Sequence, residues 1–224
     1  MIHPEHQRRA YLQAMGIDVW LPRDGDEPGL DEEPAVPAEG LGWDDLRECV
    51  ANCTLCELSQ SRTNTVFGVG NPDADWLIIG EAPGAEEDRS GEPFVGRAGQ
   101  LLDQMLLAIG QSRDSVFIAN ILKCRPPNNR DPKPDEAAAC RAYLERQIEL
   151  LRPKIILAVG KIAAQNLLGS ADPVGRMRGR PHRFGGIPLV VTYHPAYLLR
   201  SPSQKQKSWS DLCLATRLAA ESGA

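Results

Sequence analysis

The chain has 224 residues, 42% of them hydrophobic, and a formal net charge of −5 at pH 7. Its length allows one well-buried core, and its longest apolar runs, at 76–80 and 155–160, are far shorter than the roughly 20 residues of a membrane-spanning helix. No apolar run followed by a cleavage site stands at the amino terminus. These features exclude a membrane-spanning protein, and we expect a soluble monomer of the cytoplasm.

The charge is unevenly distributed along the chain. Residues 1–48 carry four Lys/Arg against twelve Asp/Glu, whereas residues 49–224 carry 21 against 18. Because phosphate binding depends on local patches of charge, the acidic total does not exclude a nucleic acid as partner.

The first 42 residues are expected to form a segment separate from a domain at 43–224. An apolar pattern over 11–20 predicts a short helix with an extended end. The acidic, Pro- and Gly-rich stretch at 22–42 is typical of a partly disordered linker, because it cannot bury enough apolar surface. The apolar stripe of residues 8–23 is a candidate docking segment for a protein partner.

From Trp43 onward, short apolar strands alternate with helical stretches. The predicted strands are 76–80, 116–120, 155–160 and 189–192, and the helices that follow them cover 99–109, 134–151, 161–168 and about 204–220. Apolar strands separated by helices indicate a parallel sheet covered on both faces. The sequence predicts an α/β fold, a three-layer α/β/α sandwich with a central, mainly parallel four-stranded sheet.

Ligands of such open sheets bind beyond the carboxyl ends of the strands. Those ends are the segments 80–84, 120–123, 160–161 and 192–196, three of which carry polar side chains suited to recognition. The glycines of the first loop lack the spacing of a dinucleotide fingerprint or of a phosphate loop. We therefore expect the functional site at this edge of the sheet. We do not expect it to bind a dinucleotide or a nucleoside triphosphate through either of these glycine-rich motifs.

Four of the six cysteines are spaced as metal ligands. They are Cys53, Cys56, Cys124 and Cys140. Four thiolates suit tetrahedral zinc as well as a [4Fe–4S] cluster, and spacing does not separate the two. The run from Cys49 to Cys56 also has the three-cysteine spacing of radical-SAM enzymes, although it precedes the first strand. Cys49 and Cys213 are otherwise expected to be small apolar residues.

Two basic segments flank the predicted strands, one at 123–133 and one at 176–183. Cations interleaved with Pro and Asn in such loops are suited to phosphate binding. The candidates for this role are Lys123, Arg125, Arg130, Arg178 and Arg180. Their affinity for a nucleic acid is expected to fall with salt.

Five segments, in order, closely resemble the family 4 uracil-DNA glycosylases, the iron–sulfur branch of that superfamily. They are CTLC at 53–56, GEAPGAEED at 80–88, GEPFVGRAGQLL at 91–102, NILKCRPPNNRDP at 120–132 and HPAYLLR at 194–200. The resemblance implies a monofunctional enzyme of base excision repair. Such an enzyme flips uracil out of DNA, hydrolyses its N-glycosidic bond and leaves an abasic site.

The resemblance also assigns roles to residues of the strand ends. Phe94 would stack on uracil, Asn120 would pair with its edge, and the Ala82 N–H would contact the base. His194 would stabilise the charge that develops at uracil O2. Three residues are implied for handling the attacking water, namely Glu81, Glu87 and Asn129. Glu81 is our leading choice, because it directly follows the first predicted strand.

The resemblance selects the [4Fe–4S] cluster, with a structural role, for the four cysteines. Leu198, Leu199 and Arg200 are candidates to fill the stack that a flipped base leaves. Two alternatives stay open at this point: a redox or radical-SAM enzyme using the same cysteines, and a non-catalytic DNA-binding module.

Overall fold

The computed structural model describes residues 11–12, 14–16 and 38–222. The chain divides into two units, residues 1–36 and residues 37–224. In the first unit, the Met15 N–H donates to the carbonyls of Tyr11 (3.1 Å) and Leu12 (3.2 Å) in a helical turn. The rest of the predicted amino-terminal helix, the linker up to residue 37 and most of the candidate docking segment lie outside the described residues.

Within residues 38–222, a six-stranded sheet forms the centre of the second unit. Its strands are β1 (Val69–Gly70), β2 (Trp76–Gly80), β3 (Phe117–Asn120), β4 (Ile155–Val159), β5 (Pro181–Phe184) and β6 (Ile187–Thr192), in the order β1-β3-β2-β4-β6-β5. Strands β3, β2, β4 and β6 are parallel, whereas β1 and β5 pair antiparallel at the edges. The mainly parallel sheet is confirmed, but it is larger than the four strands predicted.

Eight α-helices surround the sheet in residues 38–222. They are α1 (Trp43–Ala51), α2 (Ala85–Ser90), α3 (Arg97–Leu107), α4 (Pro134–Leu151), α5 (Lys161–Leu168), α6 (Val174–Met177), α7 (Pro195–Arg200) and α8 (Lys205–Glu221). Short 3-10 turns cover Glu57–Gln60, Pro127–Asn129 and Pro202–Gln204. Among the described residues, no helix is both long and apolar enough to cross a membrane.

Two hydrophobic cores lie on opposite faces of the sheet. Successive residues of β2 point to opposite faces, so Leu77 and Ile79 pack with α1, α4 and α5, while Trp76 and Ile78 pack with α3 and α8. All five residues of β2 are buried, which explains why its sequence is apolar without alternation. The predicted three-layer sandwich is confirmed.

A buried carboxylate on α8 fastens the end of β6. Asp211 is 0% exposed. Its Oδ2 accepts from Arg178 Nε (2.9 Å) and Thr192 Oγ1 (3.0 Å), and its Oδ1 accepts from Arg178 Nη2 (2.7 Å) and the Gly179 N–H (3.1 Å). The Arg178 guanidinium also lies 5.8 Å from the centre of the Tyr193 ring. This ion pair therefore fixes the point at which the chain leaves the sheet.

We expect Asp211→Asn to lower the free energy of unfolding by about 3 kcal/mol, because removing one partner leaves a buried charge unpaired. Urea unfolding would measure the loss. Asp172→Asn is the control, since Asp172 pairs with Arg176 at 3.5 Å on the surface and should contribute less than about 1 kcal/mol. Equal losses in the two variants would contradict the assignment.

Candidate active site

A pocket of about 870 Å³ opens at the carboxyl ends of β2, β3, β4 and β6. This is the edge at which the sequence predicts the site. The structure brings together there the predicted residues Glu81, Ala82, Glu87, Phe94, Asn120, Asn129, Arg130, His194 and Arg200. Segments that are more than 100 residues apart in the chain thus form one wall.

Asn120, the last residue of β3, presents a buried acceptor to the pocket. The residue is 2% exposed. In the described part of the chain, only two buried side-chain polar atoms lack a hydrogen-bond partner, Asn120 Oδ1 and Ser208 Oγ. Such an atom costs about 1–3 kcal/mol unless a ligand satisfies it.

Gly80 makes room for that side chain. It is the last residue of β2 and lies beside Asn120 in the sheet. A Cβ at this position would overlap Asn120 Oδ1 and would lie 2.5 Å from Cζ of Phe94. Only glycine therefore leaves space here for both side chains.

Phe94 is held in a left-handed conformation by contacts to its backbone. Its φ is 55°, which is uncommon for a residue with a bulky side chain. The Arg113 guanidinium donates to the carbonyls of Phe94 (3.2 Å) and Pro93, and it also binds Asp103 at 3.0 Å. Gly99 permits the turn, because a Cβ there would overlap the Phe94 carbonyl. The sequence reasoning missed Arg113, which lies 19 residues from Phe94 in the chain.

Glu87 holds the same loop from its other side. Its Oε1 accepts from the N–H groups of Val95 (3.1 Å) and Gly96 (3.4 Å), and its Oε2 accepts from the Gly84 N–H (3.1 Å). Both carboxylate oxygens are thus used within the protein. The arrangement joins the loop after β2 to the loop that carries Phe94.

His194 is fixed in one neutral form. It caps α7, and its Nδ1 accepts from the Ala196 N–H at 3.1 Å, so the proton of the neutral ring lies on Nε2. The ring stacks on Phe94, with centroids 5.6 Å apart and planes 26° apart. Gly160, at φ +98°, makes room behind it, since a Cβ would lie 3.0 Å from Cβ of His194.

The surroundings of His194 keep the ring uncharged. The pKa of His194 is lowered to about 4, mainly by burial and also by the positive charge of Arg200, while the negative charge of Glu87 acts in the opposite direction. Because this value lies below the usual 6.5, the ring is neutral at physiological pH. Its Nε2–H is therefore available as a donor.

Glu81 follows β2 directly and is half-buried. Burial raises the pKa of Glu81, Asp131 raises it further, and Lys161 lowers it. Lys161 also lies 3.7 Å from Asp131. A carboxylate whose pKa is raised in this way has the character of a general base.

Asn129 also lines the pocket, at the end of a 3-10 turn. Its φ is 53°, and its Oδ1 accepts from Arg125 Nε at 2.8 Å, which fixes the amide. Arg130 binds both oxygens of the buried Glu136, at 2.8 and 2.5 Å. These two arginines therefore order the loop before α4, in addition to lying near the pocket.

Three residues predicted to contact DNA are engaged inside the protein instead. Lys123 and Leu198 are each 1% exposed, and Arg178 is bound to Asp211. A side chain without access to solvent cannot touch a phosphate or fill a base stack, so the prediction is corrected for Lys123 and Leu198. Arg180, Leu199 and Arg200 are exposed, and their contact with DNA stays a prediction.

The four predicted thiol ligands line one cavity near α1 and α4. Cys53, Cys56, Cys124 and Cys140 lie there with Arg62 and Lys123. Arg62 Nη1 donates to Cys124 Sγ at 3.1 Å. Cys49 and Cys213 are not among the lining residues.

The geometry of these thiols bears on what they could hold. In the part of the chain that the structure describes, no three His, Cys, Asp or Glu side chains are placed as ligands of one metal ion. The ligands of an iron–sulfur cluster bind different irons and do not have to converge on one point.

Comparison with known proteins identifies the family of this chain. Residues 67–215 match the family model described as the uracil DNA glycosylase superfamily. A type-4 uracil-DNA glycosylase of Archaeoglobus fulgidus is 44% identical over 176 residues, which cover 75% of this chain and 88% of that protein. A type-4 uracil-DNA glycosylase of Thermotoga maritima is 46% identical over 162 residues, covering 71% and 84%.

We expect His194 to remain the neutral Nε2–H form throughout the neutral pH range and to gain a proton only near pH 4. Long-range ¹H–¹⁵N spectra of the imidazole rings would measure both the tautomer and the titration. Arg200→Gln should raise this pKa only in part, because burial is the larger cause. Titration near pH 6.5, or a proton on Nδ1, would refute the arrangement.

Proposed function

This chain belongs to the uracil-DNA glycosylase superfamily and excises uracil from DNA by hydrolysing the N-glycosidic bond; we propose that the pocket beside Asn120 holds the flipped base. The observation that carries this proposal is the unpartnered, buried Oδ1 of Asn120. Uracil N3–H can donate to that oxygen, while uracil O4 accepts from the amide nitrogen. Cytosine offers the reverse pattern and would leave the amide unsatisfied, which rejects it.

The base would be held flat against Phe94. A base stacked on an aromatic ring gains about 1–3 kcal/mol. Phe94 is 6% exposed, and its loop is bound by Arg113 and Glu87 on either side. Ala82 also lines the pocket, and its N–H would complete the proposed contacts to uracil.

His194 is proposed to stabilise the leaving group. When the bond from C1′ to N1 breaks, its electron pair goes to uracil, and negative charge develops at O2. The neutral Nε2–H of His194 donates to that oxygen without losing its proton. A donor at a position of developing charge is typically worth 10²–10³ in rate.

Glu81 is proposed to accept the proton of the water that attacks C1′. Its raised pKa brings it closer to neutral pH than an ordinary carboxylate, which favours proton transfer. Asn129 faces the same space and is held by Arg125. Glu87 contributes to catalysis in this proposal by holding the Phe94 loop in place.

Arg200, Arg180 and Arg125 are proposed to bind DNA phosphates. Arg200 and Arg180 are exposed, and Arg125 lies at the foot of the Asn129 turn. Leu199, which is 37% exposed, is the proposed residue that enters the stack. Because one chain supplies the whole pocket, we propose that the enzyme acts as a monomer on uracil-containing DNA in the cytoplasm.

We further propose that Cys53, Cys56, Cys124 and Cys140 hold a [4Fe–4S] cluster. The fit rests on four thiols around one cavity and on two cations beside them, Arg62 and Lys123, which would offset the negative charge of a thiolate-bound cluster. When bound, the cluster would be ligated by these thiolates and would join the segment after α1 to the loop after β3 and to α4. Its proposed role is structural.

The function is tested by uracil release from a labelled oligonucleotide. We expect wild type to release uracil without added cofactor and to leave a strand that breaks only after alkali. His194→Ala should slow release by about 10²–10³-fold through loss of the O2 donor. Asn120→Asp should slow it by about 10–100-fold, because a carboxylate cannot donate to uracil O4. Full activity in both variants would refute the assigned roles.

The cluster is tested by iron analysis of cysteine variants. Serine at Cys53, Cys56, Cys124 or Cys140 should lower bound iron and sulfide and weaken the visible absorbance. The same change at Cys213, which lies on α8 outside the cavity, is the matched control and should leave both unchanged. Zinc in place of iron in wild type would overturn the proposal.

A further inference from the structure

Lys123 is a buried cation that lies between two sites. It is 1% exposed and is one of the residues that line the cavity of the four cysteines. Its Nζ donates to the Asn120 carbonyl at 3.0 Å and to Gln147 Oε1 at 2.6 Å. One ammonium group therefore contacts the residue proposed to read uracil and borders the proposed cluster site.

Among the described residues, no carboxylate compensates the positive charge of the Lys123 ammonium. Its two oxygen partners are a carbonyl and an amide, and no carboxylate among the described residues pairs with it. Gln147 is itself fully buried, with its Nε2 bound to the Phe67 carbonyl at 2.9 Å. A buried charge is costly unless an opposite charge lies close by.

The four thiols are a source of that opposite charge. Cys124 follows Lys123 directly, and Cys124 and Cys140 line the same cavity as Lys123. As neutral thiols they would give no compensation, whereas four thiolates around a cluster carry net negative charge. The burial of Lys123 is thus explained if the cysteines are anionic when the protein works.

We infer that Lys123 is a positioning residue: the negative charge of the cysteine site holds its ammonium in the interior, and the ammonium holds Asn120 at the pocket. This inference rests on the proposed cluster and on the proposed role of Asn120. Through Lys123, the cluster site would influence base recognition by Asn120. The cluster itself would take no part in the reaction.

Lys123→Met tests the link, because methionine fills similar space without charge. The variant should still bind iron, and the reduction potential of its cluster should shift to a more negative value, since a nearby cation favours the added electron. The inhibition constant of free uracil should rise about tenfold, because Asn120 loses its support. Lys154→Met is the control. Lys154 pairs with Asp75 on the surface, and its removal should change neither quantity.

Lys123→Gln is the second variant, in case methionine prevents folding. Glutamine removes the charge but retains an N–H donor for the Asn120 carbonyl. It should shift the potential as methionine does, while restoring part of the uracil inhibition. Unchanged potential and unchanged uracil inhibition in an iron-loaded variant would overturn the inference alone. Absence of iron from wild type would overturn the proposed cluster, and absence of uracil release would overturn the proposed site.

Discussion

The pocket depends on empty space at the carboxyl ends of two parallel strands. Gly80 ends β2, and the missing Cβ is what allows Asn120 and Phe94 to meet there. Gly160 follows β4 and leaves the corresponding space for His194. A parallel sheet brings these ends to one edge, and the two glycines keep that edge open. The proposed roles of Asn120, Phe94 and His194 thus depend on the same steric condition, the absence of a Cβ at Gly80 and at Gly160.

The sequence predicted the parts of the fold that are buried on both sides. Strands β2 and β4 are apolar throughout, and α4 begins at a proline in its first turn, which marks its start. The edge strands could not be found in this way. Strand β1 has two residues, and β5 is partly exposed and polar, so neither shows an apolar run.

Prediction of the site was uneven for a similar reason. Glu81, Asn120 and His194 could be located because each lies at or just beyond the end of a predicted strand. The sequence shows that Lys123 and Arg178 are charged, but it does not show whether their side chains face solvent or the interior. In the structure Lys123 binds Gln147 and Arg178 binds Asp211, both within the protein. Internal pairing and phosphate binding use the same residue types, so only the fold distinguishes them.

Two side chains of opposite charge bind the backbone of the Phe94 loop. The Glu87 carboxylate accepts from its N–H groups, and the Arg113 guanidinium donates to its carbonyls. A wall held in this way is already in its final shape when a base arrives, so little ordering entropy is lost on binding. It also cannot adapt to a base of another shape. If the pocket holds the flipped base as proposed, discrimination would occur at the moment of entry, before any bond is strained.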